Sequence, residues 1–115
     1  MGIVASVFGN GGNKMNIHLV ENVNNFVKLQ DNMWESGWWQ LEESKAQKLI
    51  GGEIYFHKKQ LEPSFYGGTI IGYRIEEDGQ HQGRIVFKLQ HKQSCRNVKT
   101  DKHGWSKKLK IVDHD

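Results

Sequence analysis

The sequence predicts an α+β fold: a small, strongly bent mixed or antiparallel sheet of about five strands with one or two helices, curled into a β-barrel. Three observations lead to this prediction. Segments with apolar residues at every second position outnumber segments with helical spacing. The clearest helical segment, residues 42–50, is inserted between strands rather than alternating regularly with them. Gly72 falls in the middle of a predicted strand, where a small barrel needs a bend or bulge.

The chain of 115 residues is long enough for one domain with its own core. We expect residues 15–115 to form this single globular domain, with Met15 as a possible alternative start. Residues 1–14, "MGIVASVFGNGGNK", are rich in glycine and asparagine and predict a flexible leader, either native or added for expression. Gly2 and Ser6 also fit the short pattern for N-myristoylation, but that pattern is common, and a plain tail is the preferred interpretation.

The only cysteine, Cys95, cannot form an internal disulfide, which favours a reducing, cytoplasmic location. No apolar run approaches the roughly 20 residues needed to cross a bilayer, so we expect no membrane partner. Basic residues are concentrated at the end of the chain: residues 84–115 contain 9 Lys/Arg and 3 Asp/Glu, whereas residues 1–83 contain 7 and 10. Such a basic segment on a near-neutral body is typical of contact with phosphates, although a solvated lysine-rich face is the simpler alternative.

The first half of the chain predicts a strand, a short helix and then the main helix. Residues 16–20 alternate and indicate a strand, whereas Val23, Phe26 and Val27 lie at helical spacing. Gly37 separates Trp34 from the next two tryptophans, which predicts a loop leading to the helix at 42–50. Acidic residues begin that helix and two glycines end it.

The second half predicts strands. Residues 53–58, "EIYFHK", place Ile54 and Phe56 on one face and Tyr55 and His57 on the other. Residues 69–90 predict an antiparallel hairpin around the polar turn "EEDGQHQG". A last strand opens at Trp105, with residues 109 and 111 facing inward and residues 108 and 110 facing outward.

The arrangement of residues 38–90 resembles the PUA-like class of small β-barrels, which includes the ASCH, EVE and YTH families. The shared features are a helix that ends in Gly-Gly, the strand "EIYFH", the glycine-led strand "GGTIIGYR" and the returning strand "RIVFKL". The resemblance implies a barrel that binds RNA, or modified bases in DNA or RNA, in an aromatic-lined pocket. The ASCH signature is absent from this chain and the cage tryptophans of the YTH family do not map individually onto its tryptophans, so the resemblance carries over the barrel architecture and no specific ligand.

Two sets of residues are candidates for binding. Tryptophan rings can stack on a flat ligand or fill a small core, and neighbouring rings point in different directions, so one of Trp38 and Trp39 is the better stacking surface. Polar residues at a barrel mouth could line a pocket beside the rings, or could simply belong to a mixed sheet surface. The candidate ligand-binding residues are Trp34, Trp38, Trp39, Tyr55, His57, Ser64, Tyr66, Tyr73 and Arg74. The candidate phosphate-binding residues are Arg84, Lys88, Lys92, Arg96, Lys99, Lys102, Lys107, Lys108 and Lys110.

Other chemistry has little support in the sequence. His91, Cys95 and His103 do not have the spacing of a structural zinc site, so we expect no metal, and no motif indicates a cofactor. Glu53 and His57 are too far apart along one strand to act as an acid/base pair, and no nucleophile motif is present.

The sequence therefore predicts a non-enzymatic domain that binds RNA or DNA through a basic surface and holds a base among aromatic residues. One alternative is an oligomeric interaction protein, in which an exposed tryptophan forms a homodimer contact; the chain as a whole also resembles small proteins of bacterial mobile elements such as prophages and integron cassettes. A third alternative is a small hydrolase or lyase that acts through His57.

Overall fold

The structure is a computed structural model that describes residues 14–114, and side chains from residue 15 to residue 113. The predicted leader and the myristoylation pattern lie outside the described residues, apart from residue 14, with which the first strand begins. In chain order the elements are β1 (Lys14–Val20), β2 (Phe26–Lys28), β3 (Met33–Trp39), α1 (Glu43–Leu49), β4 (Glu53–His57), β5 (Ser64–Ile75), β6 (Ile85–His91), a short 3-10 helix (Gln93–Cys95) and β7 (Leu109–His114).

The described strands form one mixed sheet of seven strands in the order β2-β3-β6-β5-β4-β1-β7. The pair β1–β4 is parallel and the other pairs are antiparallel. Phe26 of β2 contacts Phe56 of β4 with ring centroids 4.9 Å apart, although four strand spacings, about 19 Å in a flat sheet, separate these strands. The sheet is therefore strongly curved, and the α+β prediction is confirmed. The sheet is not closed, because β2 and β7 are its edges, so the predicted barrel is unconfirmed.

The predicted short helix after β1 is wrong, because residues 26–39 form a β-hairpin. Strands β2 and β3 pair from Phe26 opposite Ser36 to Lys28 opposite Trp34. The turn between them is closed by a hydrogen bond from the Met33 amide to the Gln30 carbonyl, and Asp31 adopts a φ of 51°. Aspartate tolerates this left-handed conformation better than most residues, which allows the tight reversal. The tryptophan segment is therefore a strand and not a loop.

Helix α1 confirms the prediction for residues 42–50. Its buried residues, Ala46 and Leu49, are three apart and pack against the sheet. They join a core formed mainly by β1, β4, β5 and β6: Ile17, Leu19, Ile54, Phe56, Ile70, Phe87 and Leu89 are fully buried. After the helix, the chain passes Gly52, where a Cβ atom would lie 1.8 Å from the Met15 carbonyl oxygen. A glycine is needed there because backbone from β1 occupies the space.

The predicted hairpin at residues 69–90 is confirmed, with β5 paired antiparallel to β6. Its register shifts between Ile70 and Gly72, so the irregularity predicted at Gly72 is also present. The last strand begins at Leu109, later than predicted. The predicted outward position of Lys110 is wrong, because this residue is only 6% exposed. Within the described range, no helix has the length and apolar character that crossing a bilayer would require.

Candidate functional site

A cleft of about 560 Å³ lies where the curved sheet brings distant strands together. Residues 37–40 at the end of β3 and Arg84, just before β6, form one wall. Lining residues between positions 20 and 25, after β1, and residues 106–109 in the turn before β7 form the other. Strands β3 and β7 are five spacings apart in the sheet, about 24 Å if it were flat, so only the curvature allows them to share a cavity. The lining residues are Val20, Glu21, Asn22, Val23, Asn25, Gly37, Trp38, Trp39, Gln40, Arg84, Ser106, Lys107, Lys108 and Leu109.

Three basic residues line this cleft, Arg84 on one wall and Lys107 and Lys108 on the other. None of the three has a carboxylate partner among the residues that the structure describes. Unpaired cations at a concave surface attract anions more strongly than cations that are already neutralised. Three of the nine predicted phosphate-binding residues thus lie together at one cavity.

The other predicted phosphate-binding residues do not join this group. Lys92 forms an ion pair with Glu53, and the Arg96 guanidinium lies over the Tyr66 ring at 5.0 Å. Lys110 donates to both the backbone oxygen and Oδ1 of Asp101 at 2.9 Å, so its predicted place on an exposed phosphate-attracting surface is wrong. The remaining three are exposed but do not line the cleft: Lys88, Lys99 and Lys102.

Trp38 is the half-buried tryptophan of the cleft. His81 stacks on its ring with centroids 4.0 Å apart and planes 11° apart. The indole Nε1 donates to Glu76 Oε1 at 2.9 Å, and this hydrogen bond is the main reason that the pKa of Glu76 is lowered, with Arg74 adding to the effect. The indole is therefore held in a fixed orientation at the cleft wall.

Trp39, the next residue, belongs to the hydrophobic core. It is 9% exposed, packs in the core and donates from Nε1 to Ser36 Oγ at 3.0 Å. The two neighbouring rings thus differ in burial, although both residues line the cleft. Trp39 does not offer the exposed surface that a homodimer contact through this residue would require.

The turn that carries the two cleft lysines is tight. Ser106 and Leu109 form a bridge in which each amide donates to the other's carbonyl, at 2.8 and 3.1 Å. Lys107 lies within this turn with a φ of 59°, a left-handed conformation that lysine rarely adopts. A strained residue at a cavity is a common property of functional sites.

Glu21 is the acidic residue of the cleft, and it is only 1% exposed. Its Oε1 accepts hydrogen bonds from the amides of Val23 and Asn24, both at 2.9 Å. Its other oxygen, Oε2, has no hydrogen-bond partner among the described residues. Sequence reasoning missed Glu21, although a buried strand followed by the asparagine-rich turn "ENVNN" gave a signal for a polar residue held by a turn.

A second aromatic group surrounds Trp34, away from the cleft. Its ring meets Phe26 and Tyr66 edge to face, at 6.4 and 5.8 Å. Tyr66 in turn stacks on His91 at 4.3 Å. The structure therefore separates Trp34 and Tyr66 from Trp38, and the single aromatic pocket predicted from the sequence becomes two groups.

Tyr55 and His57 share a face of β4 as predicted, but His57 is fully buried, so its predicted place on an outer face is wrong. His57 Nδ1 lies 2.7 Å from the Glu62 carbonyl and must donate to it. In neutral His57 the Nε2 atom is then an acceptor, and His18 Nδ1 donates to it across 2.8 Å. Both nitrogens of His57 therefore have partners inside the fold.

Aromatic rings pack against the hydrogen-bonded pair formed by His18 and His57. The His18 ring stacks on Tyr55 at 4.5 Å, and Trp105 meets His57 edge to face at 5.8 Å. Burial, followed by the charges of His57 and Lys110, lowers the pKa of His18 to about 4. Burial also lowers the pKa of His57, against the effect of its hydrogen bond to Glu62. The pair is therefore neutral in the folded protein at pH 7.

The remaining predicted ligand-binding residues have partners within the fold. Ser64 donates to the Cys95 carbonyl at 2.7 Å and accepts from the Val98 amide, so it anchors a loop. Tyr73 donates to Glu43 Oε2 at 2.7 Å, which links β5 to α1. Arg74 forms two hydrogen bonds with Glu35, both 3.2 Å long. None of these side chains lines the cleft.

Among the side chains that the structure describes, those of residues 15–113, no three of His, Cys, Asp or Glu are placed to hold a metal ion. Cys95 is buried, and burial raises the pKa of its thiol to about 12, so the thiolate form is scarce at neutral pH.

Comparison of the chain with models of protein families, with curated proteins and with solved structures found no match. The cleft residues include an indole held by a hydrogen bond, three cations without a carboxylate partner in the described part of the chain, and one buried acidic residue.

Proposed function

We propose that this protein is a non-enzymatic nucleic-acid-binding domain, distantly related to the PUA-like class, and that the cleft is its binding site. The observation that carries the proposal is the convergence of Trp38 with three cations that lack carboxylate partners among the described residues, Arg84, Lys107 and Lys108. Cations beside an aromatic ring form the usual surface for a single-stranded nucleic acid, because they contact the phosphates while the ring stacks on a base. The strong curvature of the mixed sheet is the feature that supports the distant relationship.

Each part of the cleft has a role in this proposal. The two lysines of the turn contact consecutive phosphates, and Arg84 approaches the backbone from the opposite wall. Trp38 offers a base the part of its ring that His81 does not cover, and the hydrogen bond to Glu76 holds the indole in place. A stacked base contributes about 1–3 kcal/mol, which suits a domain with a small interface.

The test is a titration of a fluorescent single-stranded oligonucleotide at several salt concentrations. The wild-type affinity is expected to fall with a slope of log K against log salt of roughly −1.5 to −2, as for two or three neutralised phosphates on a single strand. The variant Lys107→Glu/Lys108→Glu should bind roughly tenfold more weakly or worse.

A matched variant separates local from overall charge. Lys99→Glu/Lys102→Glu changes the net charge by the same amount, but both residues are exposed and lie outside the cleft. It should retain most of the wild-type affinity. Equal losses in the two double variants would show that binding depends on overall charge, and absence of binding by the wild-type protein would refute the proposed function.

A further inference from the structure

The buried carboxylate of Glu21 has no role in attracting phosphate, and its position in a basic cleft requires a different explanation. Glu21 is 1% exposed, and a carboxyl group that is so deeply buried needs hydrogen-bond partners for its oxygens. Two backbone amides satisfy Oε1. Oε2 has none among the described residues, and Glu21 is one of the residues that line the cleft.

We propose that Glu21 reads the edge of a base bound in the cleft, and that it selects a base with neighbouring N–H donors, which is guanine. This inference rests on the proposed function and adds its specificity. The Glu21 carboxyl group already accepts hydrogen bonds at Oε1, and a partner for Oε2 as a second acceptor must present donors.

The four bases differ at the edge that a flipped or single-stranded base presents. Guanine carries the N1–H and N2–H₂ donors side by side, and both can approach one carboxylate oxygen. In adenine and cytosine an acceptor nitrogen lies next to the amino group and would face the carboxylate. In uracil and thymine, oxygen acceptors flank the single N–H on both sides. Repulsion between these acceptors and Oε2 makes guanine the preferred base.

The hydrogen bonds of Glu21 also predict that its isosteric replacement by glutamine reverses the preference for guanine. In Glu21→Gln the amide oxygen would keep the hydrogen bonds from Val23 and Asn24, since these amides require an acceptor. The NH₂ group would then replace Oε2 in the cleft. A donor would stand where the wild-type protein has an acceptor, which favours the oxygen-rich edge of uracil.

The experiment compares three pentanucleotides that differ only at the central base: UUGUU, UUIUU with inosine, and UUUUU. The wild-type protein should bind the guanine pentamer roughly tenfold more tightly than the uracil pentamer, with inosine, which lacks the 2-amino group, in between. Glu21→Gln should reduce the preference to less than about twofold or reverse it. Glu62→Gln is the control, because Glu62 is exposed and lies outside the cleft, and it should keep the wild-type order.

The outcomes separate this inference from the proposed function. Equal, salt-sensitive binding of all three pentamers would overturn the role of Glu21 and leave the proposed function intact. Retention of the guanine preference by a folded Glu21→Gln protein would also overturn it. If no pentamer binds, both proposals fail.

Discussion

At the scale of single residues, the cleft contains a residue whose conformation has an energetic cost. Lys107 adopts a left-handed conformation, which costs a lysine on the order of 1–2 kcal/mol, so a residue chosen for stability alone would not be placed there. A strained residue at a cavity fits the exchange of stability for function that binding sites often show.

Lys107 gives a direct test of that exchange. Lys107→Asn should raise the free energy of unfolding by roughly 0.5–1 kcal/mol, because asparagine tolerates a positive φ better than lysine. The same change should weaken oligonucleotide binding, since it removes a cleft cation. Chemical denaturation and the oligonucleotide titration measure the two effects.

Lys108→Asn is the control for this substitution. It removes the same charge from the neighbouring position, but the positive φ is found at Lys107 and not at Lys108. It should weaken binding without increasing stability. If both variants have the stability of the wild-type protein, the strain assigned to Lys107 is absent.

At the scale of the elements, the sequence predicted most strands but not how they meet. Alternation identified β1, β4, β5 and β6, since apolar residues recur at every second position in each of these segments. It failed at β2 and β3, where Val23, Phe26 and Val27 match a helical stripe by chance. The chain reversal at Asp31 makes this segment a hairpin and not a helix, and the pairing of β3 with the distant β6 stabilises the hairpin.

The cleft itself was beyond prediction from the sequence. Trp38 and Lys107 are far apart along the chain and meet only because the sheet curves, and no local pattern encodes that curvature. The same limit explains the error at Lys110. Alternation placed it outward, but the loop that contains Asp101 covers that face of β7 and supplies its partner.

Strand β5 offers a test of close approach between elements. A Cβ atom at Gly68 would lie 2.0 Å from the Gln90 carbonyl oxygen of β6, whereas a Cβ atom at Gly72 would meet nothing within 4 Å. Gly68→Ala should therefore lower the free energy of unfolding by about 2–3 kcal/mol or more. Gly72→Ala, on the same strand, should change it by less than about 1 kcal/mol. Urea denaturation of both variants provides the comparison, and similar losses would contradict the predicted packing.

At the scale of the whole molecule, the buried histidine pair makes stability depend on pH. The folded state lowers the pKa of His18 from 6.5 to about 4, mainly because the ring is buried, and it also lowers that of His57. Between these two pKa values the unfolded chain binds more protons than the folded protein. The stabilisation of the folded state by the neutral histidine pair is therefore complete above pH 6.5 and declines as the pH falls toward 4.

We expect the free energy of unfolding to fall between pH 7 and pH 4, with His18 contributing at most about 3 kcal/mol. The variant His18→Gln should show a shallower dependence on pH, because it removes one of the titrating groups. His103→Gln, at an exposed position, should keep the wild-type dependence. Denaturation curves across this pH range measure the slopes, and an unchanged slope in His18→Gln would show that the pair is not responsible.

The most direct test of the proposed function is to observe which indole senses a bound oligonucleotide. The four tryptophans give four indole N–H signals in a ¹⁵N-correlated NMR spectrum, which can be assigned by substitution. On titration with a single-stranded oligonucleotide, the Trp38 signal should shift most, together with the amides of Val23 and Asn24 beside Glu21, while the Trp34 and Trp105 signals stay in place. Shifts confined to Trp34 and the residues around Tyr66, or no shift at any indole, would contradict binding in the cleft.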